Sequence, residues 1–344
     1  MSIKTIILSV LFGLTSALFI ALPMAASGGG GTVIAREILI MLSTLPIFMA
    51  VLGYGQLSGL LAMAVAMMTS YSLTESWVLA VFTLVITMPA LLLASVALVR
   101  KVTTERTTRQ VPADLSGGIK SATELSISVS WVQGALIIIA LVIMGVMVMT
   151  GVFVAIGLTG TLEPIAFLKE AMQRGIVQMI APMTMDELAK MVGDAKLVEQ
   201  SLAMLAKFPS IFIMGWLLML ALNGILAQGL LMKFNAELRP APQMGQISIP
   251  FWYSGLAIVL MILSFAGSNW LGFVASNLLL IVSFGLIFGG LGLLHLLSQK
   301  WPYRLSWLLL CYIMIIVSQG LLLIPLMVLG ILEPWVQLRQ RLIN

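Results

Sequence analysis

The stretch Ser268–Lys300, SNWLGFVASNLLLIVSFGLIFGGLGLLHLLSQK, decides the fold class. From Trp270 to Leu297 it carries no Asp, Glu, Lys or Arg. A helix needs about 20 apolar residues to cross the hydrocarbon core of a bilayer. In hydrocarbon every backbone N–H and C=O must find a partner within the protein, which selects a helix for such a segment. The stretch also holds His295, the chain's only histidine, the amide Asn277, and Gly285 and Gly289 at GxxxG spacing, followed by Gly290 and Gly292. Small residues four apart allow a second helix to approach closely.

The rest of the chain has the same character. Its 344 residues are 60% hydrophobic and only 9% charged, against about 25% charged in soluble domains, and the mean hydropathy is +1.12. The expected fold is an all-α polytopic transmembrane bundle with the lipid bilayer as its principal partner. The net charge of +5 reads as basic loops at a membrane surface rather than as a nucleic-acid interface. Cys311 is the single cysteine, so neither an intrachain disulfide nor a cysteine metal cluster can form. The 24 methionines read as adaptable packing residues.

Hydropathy places spans at about 6–26, 34–52, 57–73, 76–99, 127–158, 211–232, 251–265, 270–296 and 305–332 in one membrane domain, 1–344, with polar segments 100–126, 159–209 and 233–250. The first run has the layout of a signal peptide but is long enough to span, and an uncleaved helix is the preferred reading. Pro46 and Pro89 fall within the second and fourth runs, where a missing N–H kinks or breaks a helix. Arg100, Lys101, Arg106, Arg109 and Lys120 suggest a cytoplasmic loop and hence a cytoplasmic N-terminus, consistent with Lys4. Nine spans would leave Arg339 and Arg341 outside, against the charge rule. Eight, with 57–73 re-entrant, would keep both ends inside. Both counts stand at this point.

Within 159–209, Thr184 and Glu187 have capping-box spacing. Leu188, Met191, Val192, Ala195, Val198, Leu202 and Leu205 then share one face. This predicts an amphipathic, non-spanning helix over about 185–207, lying on the membrane or covering the bundle's outer mouth.

Function is less legible. Away from their edges the spans lack ionisable Asp, Glu, Lys and Arg, which disfavours a self-sufficient ion-coupled pump. No HExxH motif occurs, and one histidine cannot form a multi-histidine zinc site. No Gly-x-Ser-x-Gly elbow is present. No catalytic residue, metal or cofactor is therefore expected. Asn223, Asn277 and His295 are candidate ligand contacts, with helix–helix hydrogen bonding as the alternative. Ala17 and Ala21, in a small-residue stripe with Gly13 and Ala25, could dock a partner or pack within the chain. Trp335, Arg339 and Arg341 read as an interfacial anchor or as a docking site for another protein.

Several stretches together resemble a known family. They are Leu45-Pro46-Ile47-Phe48 before Gly53-Tyr54-Gly55; Asn223, Ala227 and Gln228 followed by Arg239-Pro240; Asn277 with Gly289-Gly290-Leu291 and His295; and the tail Gly330–Arg341, GILEPWVQLRQR. In this order they resemble the YybS-like family of bacterial integral membrane proteins, which implies a multi-pass protein of the bacterial inner membrane. Its N-terminal half is similar to the substrate-binding components of energy-coupling-factor vitamin transporters. That likeness implies a small-molecule-binding or transport component, with Ala17 and Ala21 matching the AxxxA docking stripe of those proteins. The alternative is a membrane scaffold or assembly partner docking through the first helix and the basic tail.

Overall fold

Proline, glycine and left-handed residues divide the apolar runs into helices, and the computed structural model shows where. It describes the chain except residues 26–32, 113–118, 132–133, 181–186, 188–189, 191–192, 194, 268, 338, 340 and 342–344. The described residues form two compact units, one of Met1–Ile137 with Leu222–Ala241, the other of Ile138–Ala221 with Pro242–Asn344.

In the first unit, α1 (Ile3–Ala25) is followed by α2 (Val33–Leu42) and α3 (Thr44–Tyr54). The expected span 34–52 is thus broken at Ser43. Pro46 has no N–H to offer the carbonyl one turn earlier, and its ring crowds that carbonyl. Gly55, at φ 92°, turns the chain into α4 (Gln56–Thr74), and Glu75, at φ 53°, ends it. The Ser76 hydroxyl then caps α5 (Trp77–Ala97) by accepting the Leu79 N–H. α1 lies closely against α4: a Cβ on Gly13 would meet Ala62 O at 2.4 Å, and the hydroxyls of Ser9 and Ser58 are 2.6 Å apart.

In the first unit, after α5, come two antiparallel strands, β1 (Arg100–Pro112) and β2 (Ile119–Trp131), paired Arg100 to Trp131 through Pro112 to Ile119. The span expected from residue 127 therefore starts later, as α6 (Gly134–Gly157), because 127–131 are in the ladder.

In the second unit, α7 (Pro164–Ile180) packs against α8 (Ala195–Lys207). Lys169 and Glu199 join them at 2.9 Å. The single helix expected over 185–207 is corrected here: Gly193 sits at φ 83°, a conformation that ends a helix, and α8 begins beyond it. Thr184, Met185, Leu188, Met191 and Val192, named for the start of that helix, lie outside the described residues. The apolar face survives in the second half, where Leu202 and Ala206 are buried. α9 (Ser210–Lys233) follows, its residues to Ala221 in this unit and those from Leu222 in the first, and then come α10 (Phe251–Ala266) and α11 (Asn269–Leu297). The expected span 305–332 is two helices, α12 (Arg304–Val317) and α13 (Leu323–Val336). Gln319 at φ 52° and Gly320 at φ 87° break it.

Six of these helices have the length and composition to cross a membrane: α1, α4, α5, α6, α9 and α11. The segments Ile38–Tyr54, Phe251–Ala266, Arg304–Val317 and Leu323–Val336 are shorter apolar helices. Every element with spanning character is helical. α4, the segment offered above as re-entrant, is among the six. α11 is the most enclosed, with 61% of its apolar window buried against 28–44% for the other five.

Candidate functional site

Where do the buried polar side chains of an apolar bundle send their hydrogen bonds? An unpaired polar group there costs about 1–3 kcal/mol, so their partners report what each side chain is for.

Asn223, 3% exposed on α9, donates through Nδ2 to Met41 O and to the Thr44 hydroxyl, both at 2.7 Å. It spans the break between α2 and α3. The Ser16 hydroxyl of α1 donates to Ser43 O at 2.8 Å. Pro46 leaves the ladder one N–H short, and Asn223 and Ser16 add side-chain donors across the gap.

Asn277 is fully buried on α11. Its Oδ1 accepts the Ser210 N–H at 3.1 Å, and its Nδ2 donates to Lys207 O at 3.1 Å and Phe273 O at 2.9 Å. It clamps the joint at which α8 passes into α9, where Pro209 interrupts the helical ladder. Both candidate amides therefore hold helix discontinuities within their own units.

His295 lies half-buried near the end of α11, with Nε2 2.9 Å from the Tyr312 hydroxyl of α12. Its carbonyl accepts from Ser298 Oγ at 3.1 Å. Of the three candidate ligand contacts, Asn223 belongs to the first unit, and Asn277 and His295 to the second.

Ala17 and Ala21 are buried, at 0% and 2% exposed. With Ser9, Gly13, Ser16 and Ile20 they form the inward face of α1, and Ala21 packs with Ile20 and Leu79. The outward face carries Leu11, Leu14, Leu18 and Leu22.

The tail holds a feature that hydropathy did not reveal. Glu333 and Arg339 form an ion pair at 2.9 Å with side chains only 8% and 13% exposed. The Arg339 guanidinium also donates to Gly245 O and Ile247 O. This cation can reach those carbonyls because α11 has no side chain at Gly292, where a Cβ would lie 2.7 Å from Ile247 O and 3.1 Å from Arg339 Nη2. Trp335 donates its indole N–H to the Ser254 hydroxyl at 3.1 Å and packs at a tilt against Phe251 with centroids 4.2 Å apart, half-exposed. Arg341 is exposed. Of the three tail residues singled out, Arg339 is thus turned inward, Trp335 is partly tied down and Arg341 is free to face its surroundings. The legible sign of the pair was a lone Glu333 before Pro334, two turns ahead of a basic residue.

The first unit contains a comparable knot. Gln228 donates to Arg239 O at 2.8 Å, and Arg239, 4% exposed, donates to Ala97 O at 2.6 Å and Pro240 O at 3.3 Å. The Leu238 N–H reaches Leu52 O at 2.9 Å. Helix ends α3 and α5 are therefore closed by one loop, with a cation at the negative end of the α5 dipole. Burial pushes the Arg239 pKa down. Among the described residues no group of three His, Cys, Asp or Glu side chains is placed to hold a metal ion.

With ten apolar helical segments and buried polar groups spent on backbone, the chain has the construction of a multi-pass membrane protein. A family described as predicted membrane protein (DUF2232) matches residues 17–333. The chain belongs to the DUF2232 family. No curated protein matches it, and no solved structure does. The family match ends at Glu333, so it takes in α11 with its glycines and all but the last residues of α13.

Proposed function

We propose that this DUF2232 protein is a non-catalytic, multi-pass component of the bacterial inner membrane that binds a small, largely uncharged molecule. The observation that carries this reading is the gap in the helical hydrogen-bond ladder at Ser43, where the backbone stays right-handed (φ -59°, ψ -25°), within an apolar segment, Ile38–Tyr54, that contains no Asp, Glu, Lys or Arg. Broken helices at membrane depth are tolerated where they are covered by protein or line a cavity, and transporters build substrate sites from them. The YybS-like resemblance and the likeness of the N-terminal half to energy-coupling-factor substrate-binding components support the same assignment. The uncharged surroundings favour a neutral ligand over an ion. Asn223, beside the break, is the side chain best placed to trade a backbone partner for a ligand. Asn277 has Oδ1 and both Nδ2 donor positions engaged, which supports a structural role over ligand contact.

The experiment is thermal-shift and native mass spectrometric screening of the detergent-purified chain against neutral small metabolites, with Asn223→Ala alongside. A ligand that raises the midpoint in the native protein and loses most of that effect in Asn223→Ala supports the proposal. A folded protein that retains no small molecule, and whose midpoint no compound moves, overturns it.

The scaffold alternative has less support. Ala17 and Ala21 face the chain's own bundle, and Arg339 is ion-paired, so Trp335 and Arg341 alone remain of the docking residues.

A further inference from the structure

The turn between α11 and α12 brings exposed cations and exposed aromatic rings together. Lys300 and Arg304 are exposed there. Three aromatic side chains within the same few residues are exposed too: Trp301 at 43%, Tyr303 at 84% and Trp307 at 49%. Trp301 and Trp307 meet edge to face, with centroids 6.4 Å apart, so the two rings form one surface across the turn. Between Glu237 and Glu333 the sequence has no carboxylate at all. Neither cation therefore has an acidic neighbour in its own helical hairpin, and the described ion pairs are elsewhere. The hydrogen bonds described for Arg304 are long, 3.4 Å to Ser298 Oγ and 3.4 Å to His295 O, and use two of its five N–H donors.

A second aromatic turn provides the contrast. Tyr71 and Trp77 stack at 4.3 Å around the α4–α5 turn, but the charge there is Glu75. Amphipathic rings favour the membrane–water interface whatever the lipid. Rings joined to uncompensated cations favour a negatively charged interface, because each Lys or Arg near an anionic surface is attracted to it. Guanidinium and ammonium groups are also direct partners for phosphate oxygens.

We propose that the α11–α12 turn is an anionic-phospholipid site, in which Lys300 and Arg304 bind the headgroup phosphate while Trp301, Tyr303 and Trp307 seat the turn at the acyl boundary. The site places this end of α11 at an anionic leaflet. It also gives the role of lipid anchor to a turn in mid-chain, whereas Arg339 of the tail is spent on Glu333.

The test is native mass spectrometry of the full chain released from micelles titrated with phosphatidylglycerol or phosphatidylcholine, comparing native protein, Lys300→Gln, Arg304→Gln and the double variant. The native chain should retain phosphatidylglycerol over phosphatidylcholine. That preference should fall about 5-fold for each charge removed and about 30-fold for both. Lys4→Gln, far from the turn, should leave it intact. Arg304→Lys keeps the charge and should hold most of the preference, which separates headgroup binding from any structural loss in Arg304→Gln. Equal retention of the two lipids by the native chain, or a preference that Lys300→Gln and the double variant both leave unchanged, overturns the proposal.

Discussion

A single methyl group at Gly290 tests the packing around α11. A Cβ built there lies 2.0 Å from Leu326 O and 2.8 Å from Leu326 C, while one at Gly330 lies 2.1 Å from Leu286 O. The contact is reciprocal: each glycine receives a carbonyl of the opposite helix. Because the obstructing atoms are backbone, no rotamer change relieves the clash. α13 would have to retreat from 2.0 Å to at least 3.4 Å, loosening the cluster of Ile287, Leu291 and Leu326. Overpacking of this kind costs about 1–3 kcal/mol, partly offset by the gain of about 0.5–1 kcal/mol that Ala brings to a helix interior. Gly290→Ala should therefore lower stability by about 1 kcal/mol, and by no more than about 2.5 kcal/mol. Gly255 on α10 is the matched control, since nothing lies within 4 Å of its Cβ position. Gly255→Ala should be neutral or stabilising by about 0.5 kcal/mol. Both are measured by denaturant titration of the purified protein in one detergent, followed by far-UV circular dichroism. If Gly290→Ala matches Gly255→Ala, the close crossing of α11 and α13 is wrong.

Further outcomes follow from the polar groups. Asn277→Leu strands the Ser210 N–H and Lys207 O, and should destabilise by about 2–4 kcal/mol in the same titration. Arg339→Met leaves Glu333 buried and unpaired, and should cost about 3–5 kcal/mol, whereas Glu333→Leu with Arg339→Met should recover much of the loss; equal damage from the single and double variants would argue against the pair. The Lys169 ammonium, first by hydrogen bonding and then by charge, holds the Glu199 carboxyl below its ordinary pKa. A depressed carboxyl pKa contributes stability above the unfolded pKa and loses it as pH falls through the folded value. The α7–α8 contact should therefore loosen on acidification below the usual glutamate range. Proton titration of Glu199 by NMR should show the low pKa in the native chain and its return toward the ordinary value in Lys169→Ala.

Helical class was readable from hydropathy because an uninterrupted apolar run with no charge has only one way to satisfy its backbone in lipid. The interruptions were harder. Pro46 was visible as a breaker, yet Gln319 and Gly320, which divide 305–332, look like ordinary span residues because left-handed backbone leaves no mark on hydropathy. Gly193 was hidden by a convincing apolar period on either side of it. Residues 127–131 are apolar enough to extend a helix, and only pairing with Arg100–Thr104 places them in a strand. The candidate amides were read from the sequence as residues in need of a partner, either a ligand or another helix. That their partners are Met41, Thr44, Lys207 and Ser210 depends on separations of up to 182 residues, which local patterning cannot reach. Glu333 was legible only as part of the tail stretch; its pairing was not, because it lies just beyond the expected last span and depends on Gly292 opening space for Arg339.

Partition of the full chain in alkaline carbonate-washed membranes tests the account most directly. A chain whose exposed surface is this apolar, and whose buried polar groups are tied to its own backbone, should stay in the pellet and come out only with detergent. Folded protein recovered in the aqueous supernatant would contradict it.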